Sequence, residues 1–306
     1  MVLTLISKIV SLALIMLMGW LLVKGNVMRA QDSEGLSKLT LYLIMPCVIL
    51  SSFQVDYSEE VKDGLFLAFL AAAVIHLILI LLNTILKKTL HLDTVEQVSV
   101  MYSNAGNLII PLVTAILGKE WVIYTSAFIV VQLILLWSHG KATLCGEKGF
   151  DLRKIFSNLN MISIVIGIML FFTRIRIPAL LQDTVDTVGG MIGPVSMLVT
   201  GMLLGGMDIR RLLTYKRVWL VSLLRLILVP LLILPLVKFS GISVLGAEGE
   251  SVLLVTLLAV TTPSASTITQ LAQVYEKDAQ YACAINVVTT ILCIVTIPAM
   301  VMLYQL

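Results

Sequence analysis

The feature that most constrains this chain is the recurrence of apolar stretches long enough to cross a lipid bilayer. About 30 Å of hydrocarbon, at 1.5 Å per residue, requires a helix of roughly 20 mostly apolar residues. The 306-residue chain offers such stretches at 5–23, 34–53, 64–86, 97–118, 121–139, 159–175, 185–206, 218–238, 251–272 and 280–304. Charged residues make up 13% of the chain and hydrophobic ones 59%, where a soluble domain carries about 25% charged residues. A water-soluble fold cannot hide that much apolar surface. Backbone polar groups inside hydrocarbon must be satisfied within the protein, which a helix does by itself. The expectation is an all-α polytopic membrane protein with ten spans, joined by polar links too short to be soluble domains.

The first stretch lacks a strongly basic start and a small-residue cleavage pattern, so it reads as a retained span rather than a secretory signal. The cysteines Cys47, Cys145, Cys283 and Cys293 have no C-x-x-C spacing, which predicts packing roles rather than disulfides or a metal site. Most of the 21 Lys and Arg residues fall in the links at 24–33, 87–96, 140–158, 208–217 and 274–279. Basic links stay on the cytoplasmic side, so both termini are expected outside the plasma membrane. The net charge of +3 is dispersed over helix ends and calls for no nucleic-acid partner.

Prolines mark an internal repeat. Pro46 and Pro194 stand 148 residues apart, and Pro111 and Pro263 stand 152 apart. This spacing divides the chain into a first five-helix repeat at 1–139, a cytoplasmic connecting loop at 140–158 and a second five-helix repeat at 159–306. Five spans is an odd number, so the second half enters from the opposite face, the inverted topology of many secondary carriers.

The fourth and ninth spans hold the densest polar clusters, Ser103-Asn104-Ala105-Gly106-Asn107 before Pro111, and Thr261-Thr262-Pro263-Ser264 followed by Ser266, Thr267, Thr269 and Gln270. Proline lacks an N–H and displaces the carbonyl four residues back, here those of Asn107 and Ala259. Irregular backbone at membrane depth is tolerated only where protein buries it or a cavity hydrates it. Two such breaks at matched places predict a midplane binding site. The amides of the following half-helices favour an anion, and Asn107, Thr262 and Ser264 add donors, whereas the freed carbonyls suit a cation such as Na⁺. Each feature also has a plainer reading, because single prolines are common in membrane helices and Ser or Thr often bond the carbonyl one turn back.

Arg225 lies within the eighth span, where a guanidinium costs about 2.5–3.5 kcal/mol and needs a partner or water. It either attracts an anionic substrate, snorkels to the basic face or holds freed carbonyls together. His76, inside the third span, could relay protons or simply pack, and Asn83 and Gln132 raise the same choice. No Asp or Glu lies in the middle of a span, which disfavours coupling through a buried carboxylate. Coupling, if any, falls to Na⁺ or H⁺ at neutral oxygens or at His76, and no cofactor is implied.

These residues resemble a known family. Asn104-x-x-Asn107-x-x-x-Pro111-Leu112, Gly118-Lys119-Glu120, Gln132, Arg225 with Pro230, Thr262-Pro263-Ser264, Tyr275-Glu276-Lys277-Asp278 and Pro298 occur in an order similar to that of the auxin efflux carrier family. Gly19-Trp20-Leu21-Leu22 and Leu39-x-Leu41-Tyr42-Leu43-x-x-Pro46 fit it too. The resemblance implies two inverted five-helix repeats with crossed, broken helices 4 and 9. These lie in a transport domain that moves against a scaffold of the first, second, sixth and seventh helices. It implies organic anions as substrates, with Asn107 at the crossover asparagine near the carboxylate and Pro111 and Pro263 at the crossover prolines. It further implies a homodimer. The short connecting loop, and the Thr262, Ser264 and Ser266 that stand in place of an asparagine in the ninth span, resemble a bacterial-type member carrying malonate or malate rather than an auxin-like acid.

The expected function is thus a secondary carrier for small carboxylates working by alternating access, with substrate contacts from Asn104, Asn107, Pro111, Thr262, Pro263, Ser264 and Ser266. The alternative is an ion channel or a Na⁺/H⁺ antiporter-type carrier built on the same broken helices. An enzyme would need converging His, Asp, Glu or Cys at one depth, and no such cluster is legible.

Overall fold

A computed structural model describes residues 2–54, 59–105, 108–109, 113, 117–118, 121–146, 159–206, 215–245 and 248–305. Asn107 and Pro111 lie outside the described residues. Among those described, the protein is all helix, and the only extended pairing is an isolated antiparallel bridge between Ser103 and Ser264. The main helices are α1 (Val2–Lys24), α2 (Ala30–Ser51), α3 (Glu59–Leu90), α4 (Thr94–Met101), α5 (Ile123–Cys145), α6 (Leu159–Thr173), α7 (Ala179–Gly205), α8 (Lys216–Phe239), α9 (Gly249–Thr261), α10 (Ser266–Val274) and α11 (Ala279–Gln305).

Six of these contain stretches long and apolar enough to cross a membrane: Ala30–Ser51, Val61–Leu90, Ile123–Cys145, Ala179–Gly205, Lys216–Phe239 and Ala279–Tyr304. Shorter apolar helices occupy Val10–Lys24 and Gly249–Thr261. The expected ninth span is two helices, α9 and α10, parted at Thr262–Ala265, and the helix expected at 97–118 is interrupted after Met101, with helical residues again at Ala105, Leu108, Ile109 and Val113. Large apolar side chains such as Phe66, Leu77, Leu81, Met169, Phe172, Val295 and Met302 face outward. Ser99, Asn104, Gln132, Arg225, Thr262, Gln270 and Asn286 are buried. This arrangement, apolar outside and polar within, is that of a protein whose solvent is lipid.

Two groups of helices pack within the fold. In one, α1 runs along α7, and α2 lies against α6 and α7. In the other, α3 packs on α5 and α9, α8 on α9 and α11, and α10 on α11. The groups meet where α10 touches α2 and α7, and where α11 touches α7 and α1.

The α1–α7 contact is built from glycine. A Cβ on Gly201 would lie 1.9 Å from the Met16 carbonyl oxygen, one on Gly19 2.4 Å from that of Leu198, and one on Gly205 2.7 Å from Cβ of Val23. Without a hydrophobic drive between helices in lipid, such close backbone approach is what holds a pair together.

Among the described residues three helices contain a π-helical turn, at Thr40–Ile44 in α2, Leu136–Gly140 in α5 and Leu224–Leu228 in α8. Two of them precede a proline, Pro46 and Pro230. A proline ring clashes with the carbonyl four residues back, here that of Tyr42 or Leu226, and the wider turn relieves the clash. The third makes room for Tyr102, whose ring would lie 2.7 Å from a Cβ on Gly140 and whose hydroxyl donates to the Leu135 carbonyl at 3.0 Å.

The start of α4 is fixed from several sides. Asp93 and Glu96 form a reciprocal cap, with Glu96 N–H to Asp93 Oδ1 at 2.8 Å and Asp93 N–H to Glu96 Oε2 at 2.9 Å. Glu96 is buried and also accepts from Arg217 Nη2 at 2.6 Å and Tyr281 Oη at 2.7 Å. Arg217 additionally binds the carbonyls of Leu90 and His91 at the end of α3. One carboxylate thus joins α3, α4, α8 and α11.

Gly201→Val is expected to force α1 from α7 and destabilise the protein by about 1–3 kcal/mol or more, as overpacking does. Thermal unfolding of detergent-solubilised protein measures this. Gly190→Ala, whose Cβ meets nothing within 4 Å, is expected to leave the midpoint unchanged.

Candidate functional site

The site is assembled from the ends of interrupted helices. A helix leaves its last four carbonyls without amide partners, and at membrane depth each must be satisfied. In α9 three of the four are taken up by side chains. Leu258 accepts from the Thr261 hydroxyl at 2.8 Å, Ala259 from the Thr262 hydroxyl at 2.9 Å, and Val260 from Arg225 Nη2 at 2.8 Å. The carbonyl freed by Pro263 is therefore satisfied locally, and the Thr262 proton points to it rather than outward.

Beyond the helix ends the two chains cross as a short antiparallel ribbon. Asn104 N–H donates to the Pro263 carbonyl at 2.7 Å, and Ala265 N–H to the Tyr102 carbonyl at 3.1 Å. Ser103 and Ser264 stand opposite each other with their peptide groups turned to the outer edges. Side chains close both edges. Gln132 of α5 accepts from Ser103 N–H at 3.0 Å and Oγ at 2.7 Å, and donates to its carbonyl at 2.9 Å. On the far edge Asn286 Nδ2 donates to the Ser264 carbonyl at 2.7 Å, and Thr289 Oγ1 accepts from Ser264 N–H at 3.2 Å. The Gln132 amide acts as a one-residue strand, and Asn286 with Thr289 does the same on the other side.

Arg225 joins the two breaks. It is completely buried and donates to carbonyls only: Val100 at the end of α4 through Nη1 at 3.1 Å, Val260 through Nη2 at 2.8 Å, and Thr262 through Nε at 3.2 Å and Nη2 at 3.1 Å. The carbonyl ends of α4 and α9 each carry about half a negative charge, and the guanidinium sits where they converge. The negative helix ends are thus neutralised at the crossing, while the positive amino end of α10, starting at Ser266, lies just beyond it.

Asn104 is buried and its Nδ2 has no hydrogen-bond partner, while Asn286 Oδ1, Thr269 Oγ1, Gln270 Oε1 and Thr290 Oγ1 are likewise buried without one. Buried polar groups are ordinarily paired, and Asn104 and Asn286, both beside the ribbon, each keep one unpaired atom. Ser264 and Ser266 are buried there as well.

His76 makes no hydrogen bond to the ribbon. Its Nδ1 bonds the Ala72 carbonyl at 2.8 Å, its ring packs 4.8 Å from that of Phe128, and Nε2 has no partner. It precedes Arg225 by 149 residues, close to the proline spacing. Among the described residues no group of His, Cys, Asp and Glu could hold a metal ion.

Sequence reasoning did not single out Asn286 and Thr289. The signal was present, because Asn286 follows Gln132 by 154 residues, near the same repeat spacing.

Gln132→Leu is expected to strand the Ser103 N–H and carbonyl, each orphaned group costing about 1–3 kcal/mol, and Asn286→Leu to do the same at Ser264. Thermal unfolding in detergent reads both losses. Arg225→Lys is expected to destabilise nearly as much as Arg225→Met, because an ammonium lacks the planar fork that reaches three carbonyls at once.

A family model described as membrane transport protein matches residues 4–149 and 146–301. No curated protein matches the chain. The two matches span nearly the whole sequence and both halves of the crossing, and the chain belongs to this family of membrane transport proteins, of the auxin efflux carrier type.

Proposed function

We propose that the protein is a secondary carrier that moves small organic anions, mono- or dicarboxylates such as malonate or malate, across the plasma membrane by alternating access. In this reading the chain has ten spans with both termini outside. Its repeats at 1–139 and 159–306 are related by inverted topology, the loop at 140–158 is cytoplasmic, and two copies assemble as a homodimer. The observation that carries the proposal is the crossing itself, two polar breaks paired at Ser103 and Ser264 with their carbonyl ends bound by Arg225. That pairing leaves unpaired buried atoms, Asn104 Nδ2 among them, to meet a guest.

A carboxylate at the start of α10 would meet the dipole's positive end and the Asn104 Nδ2 donor. Arg225, already holding three carbonyls, acts by removing the negative field those carbonyls would otherwise present. Asn107 and Pro111 complete the first break in this reading, with Thr262, Pro263, Ser264 and Ser266 on the second. Gln132 supports the ribbon rather than touching substrate. The carrier works as a uniporter or couples to Na⁺ or H⁺ through neutral groups, with His76 the fully buried imidazole of the second helix group.

The test is uptake by purified protein in liposomes of radiolabelled malonate, malate and indole acetate, each with and without a Na⁺ or pH gradient. Saturable uptake of malonate or malate is expected. Asn104→Ala and Asn107→Ala should each raise KM roughly ten- to a hundredfold, the equivalent of a hydrogen bond to a charged group. Ion conductance without uptake of any acid would refute the anion-carrier reading and assign the broken helices to an ion pathway.

A further inference from the structure

The seam between the two helix groups is bridged by side chains of α10. Gln273 is bonded at both ends of its amide: Ser37 Oγ donates to Oε1 at 2.7 Å, and Nε2 donates to Ser33 Oγ at 2.8 Å. Ser33 in turn donates to the Ala30 carbonyl at 2.6 Å, which fixes its hydroxyl as the acceptor Gln273 needs. One turn earlier, Gln270 Nε2 donates to Ser196 Oγ of α7 at 3.0 Å. Two glutamines on one face of α10 therefore grip two helices of the other group. Beside them, Cys283 of α11 donates from Sγ to the Thr200 carbonyl of α7 at 3.3 Å.

These ties differ in kind from those within the second group. Arg225, Gln132 and Asn286 bind backbone groups that have no alternative partner at membrane depth. The glutamines bind serine hydroxyls, which can turn back to their own helix carbonyls when released, as Thr200 does to Ser196 and Thr40 to Leu36. The seam also carries spare valences, since Gln270 Oε1 and Thr269 Oγ1 are buried and unpartnered. A joint that must part and reform is served by bonds with alternatives on both sides.

We propose that Gln270 and Gln273 form a hydrogen-bond latch that holds the two helix groups in the conformation described above and that opens in each transport cycle. The proposal rests on the reading that the groups move against each other, but its test requires no substrate. Cys283 reports on the seam, buried in an apolar cluster with Met16, Met197, Val199, Leu203 and Val287. Cys293, buried on the same helix within the main core, serves as the internal control.

The experiment is N-ethylmaleimide labelling of purified protein in lipid, quantified for each cysteine by peptide mass spectrometry. In Gln270→Leu/Gln273→Leu the labelling rate of Cys283 is expected to rise about fivefold or more, as a population shift toward an open seam requires, with Cys293 unchanged. Ser33→Ala/Ser37→Ala, which removes the partners from the opposite side, is expected to reproduce the effect. An unchanged Cys283 rate in both variants overturns the latch, and so does an equal rise at Cys283 and Cys293, which is general loosening. Uptake by the wild type is measured separately, so failure of the carrier reading and failure of the latch give different results.

Discussion

In a bilayer the chain has no water to complete its hydrogen bonds, so every interruption of a helix must be closed by the protein itself. Arg225 is the largest answer to that constraint. Its guanidinium collects carbonyls from the ends of both α4 and α9, and the crossing can exist at membrane depth because those oxygens are bound. A buried cation is expensive in hydrocarbon, yet two converging helix ends supply the opposing field. Charge and breaks are mutually necessary, since either alone would be an unsatisfied group in lipid.

Around that pair the ribbon is finished by amides that imitate backbone. Gln132 closes one edge with the donor and acceptor of a single side chain, and Asn286 with Thr289 closes the other with two. Because α5 and α11 supply these groups, the crossing is braced from both sides by continuous helices. Asn104 Nδ2, beside this fully bonded ribbon, is buried without a partner.

Much of this was legible in the residues. Apolar length alone identifies a membrane-spanning helical protein, and prolines beside polar clusters locate the break at Pro263 to within a residue or two. Arg225 was legible as a residue needing a partner, but not which partner, because a side chain that could attract an anion, snorkel or hold carbonyls looks the same in one dimension. The Ser103–Ser264 pairing was not legible either, since it joins residues of separate helices through backbone groups that carry no side-chain signature. Thr262 illustrates the same limit. A hydroxyl beside a proline reads equally as a substrate donor or as a local cap, and only the geometry directs its proton to Ala259.

The glycine contact between α1 and α7 has a consequence for how the protein is made. Its two sides are separated in the sequence by five intervening helices, with α1 ending at Lys24 and α7 beginning at Ala179. At 5–20 residues per second, the ribosome needs roughly 10–30 s to deliver the second helix after the first. During that interval α1 sits in lipid with Gly19 and its neighbouring backbone uncovered. Its many apolar side chains keep it in the membrane while it waits, and its small-residue groove keeps it available. Helix α1 is thus a partner held in reserve, and assembly of the α1–α7 pair is timed by translation.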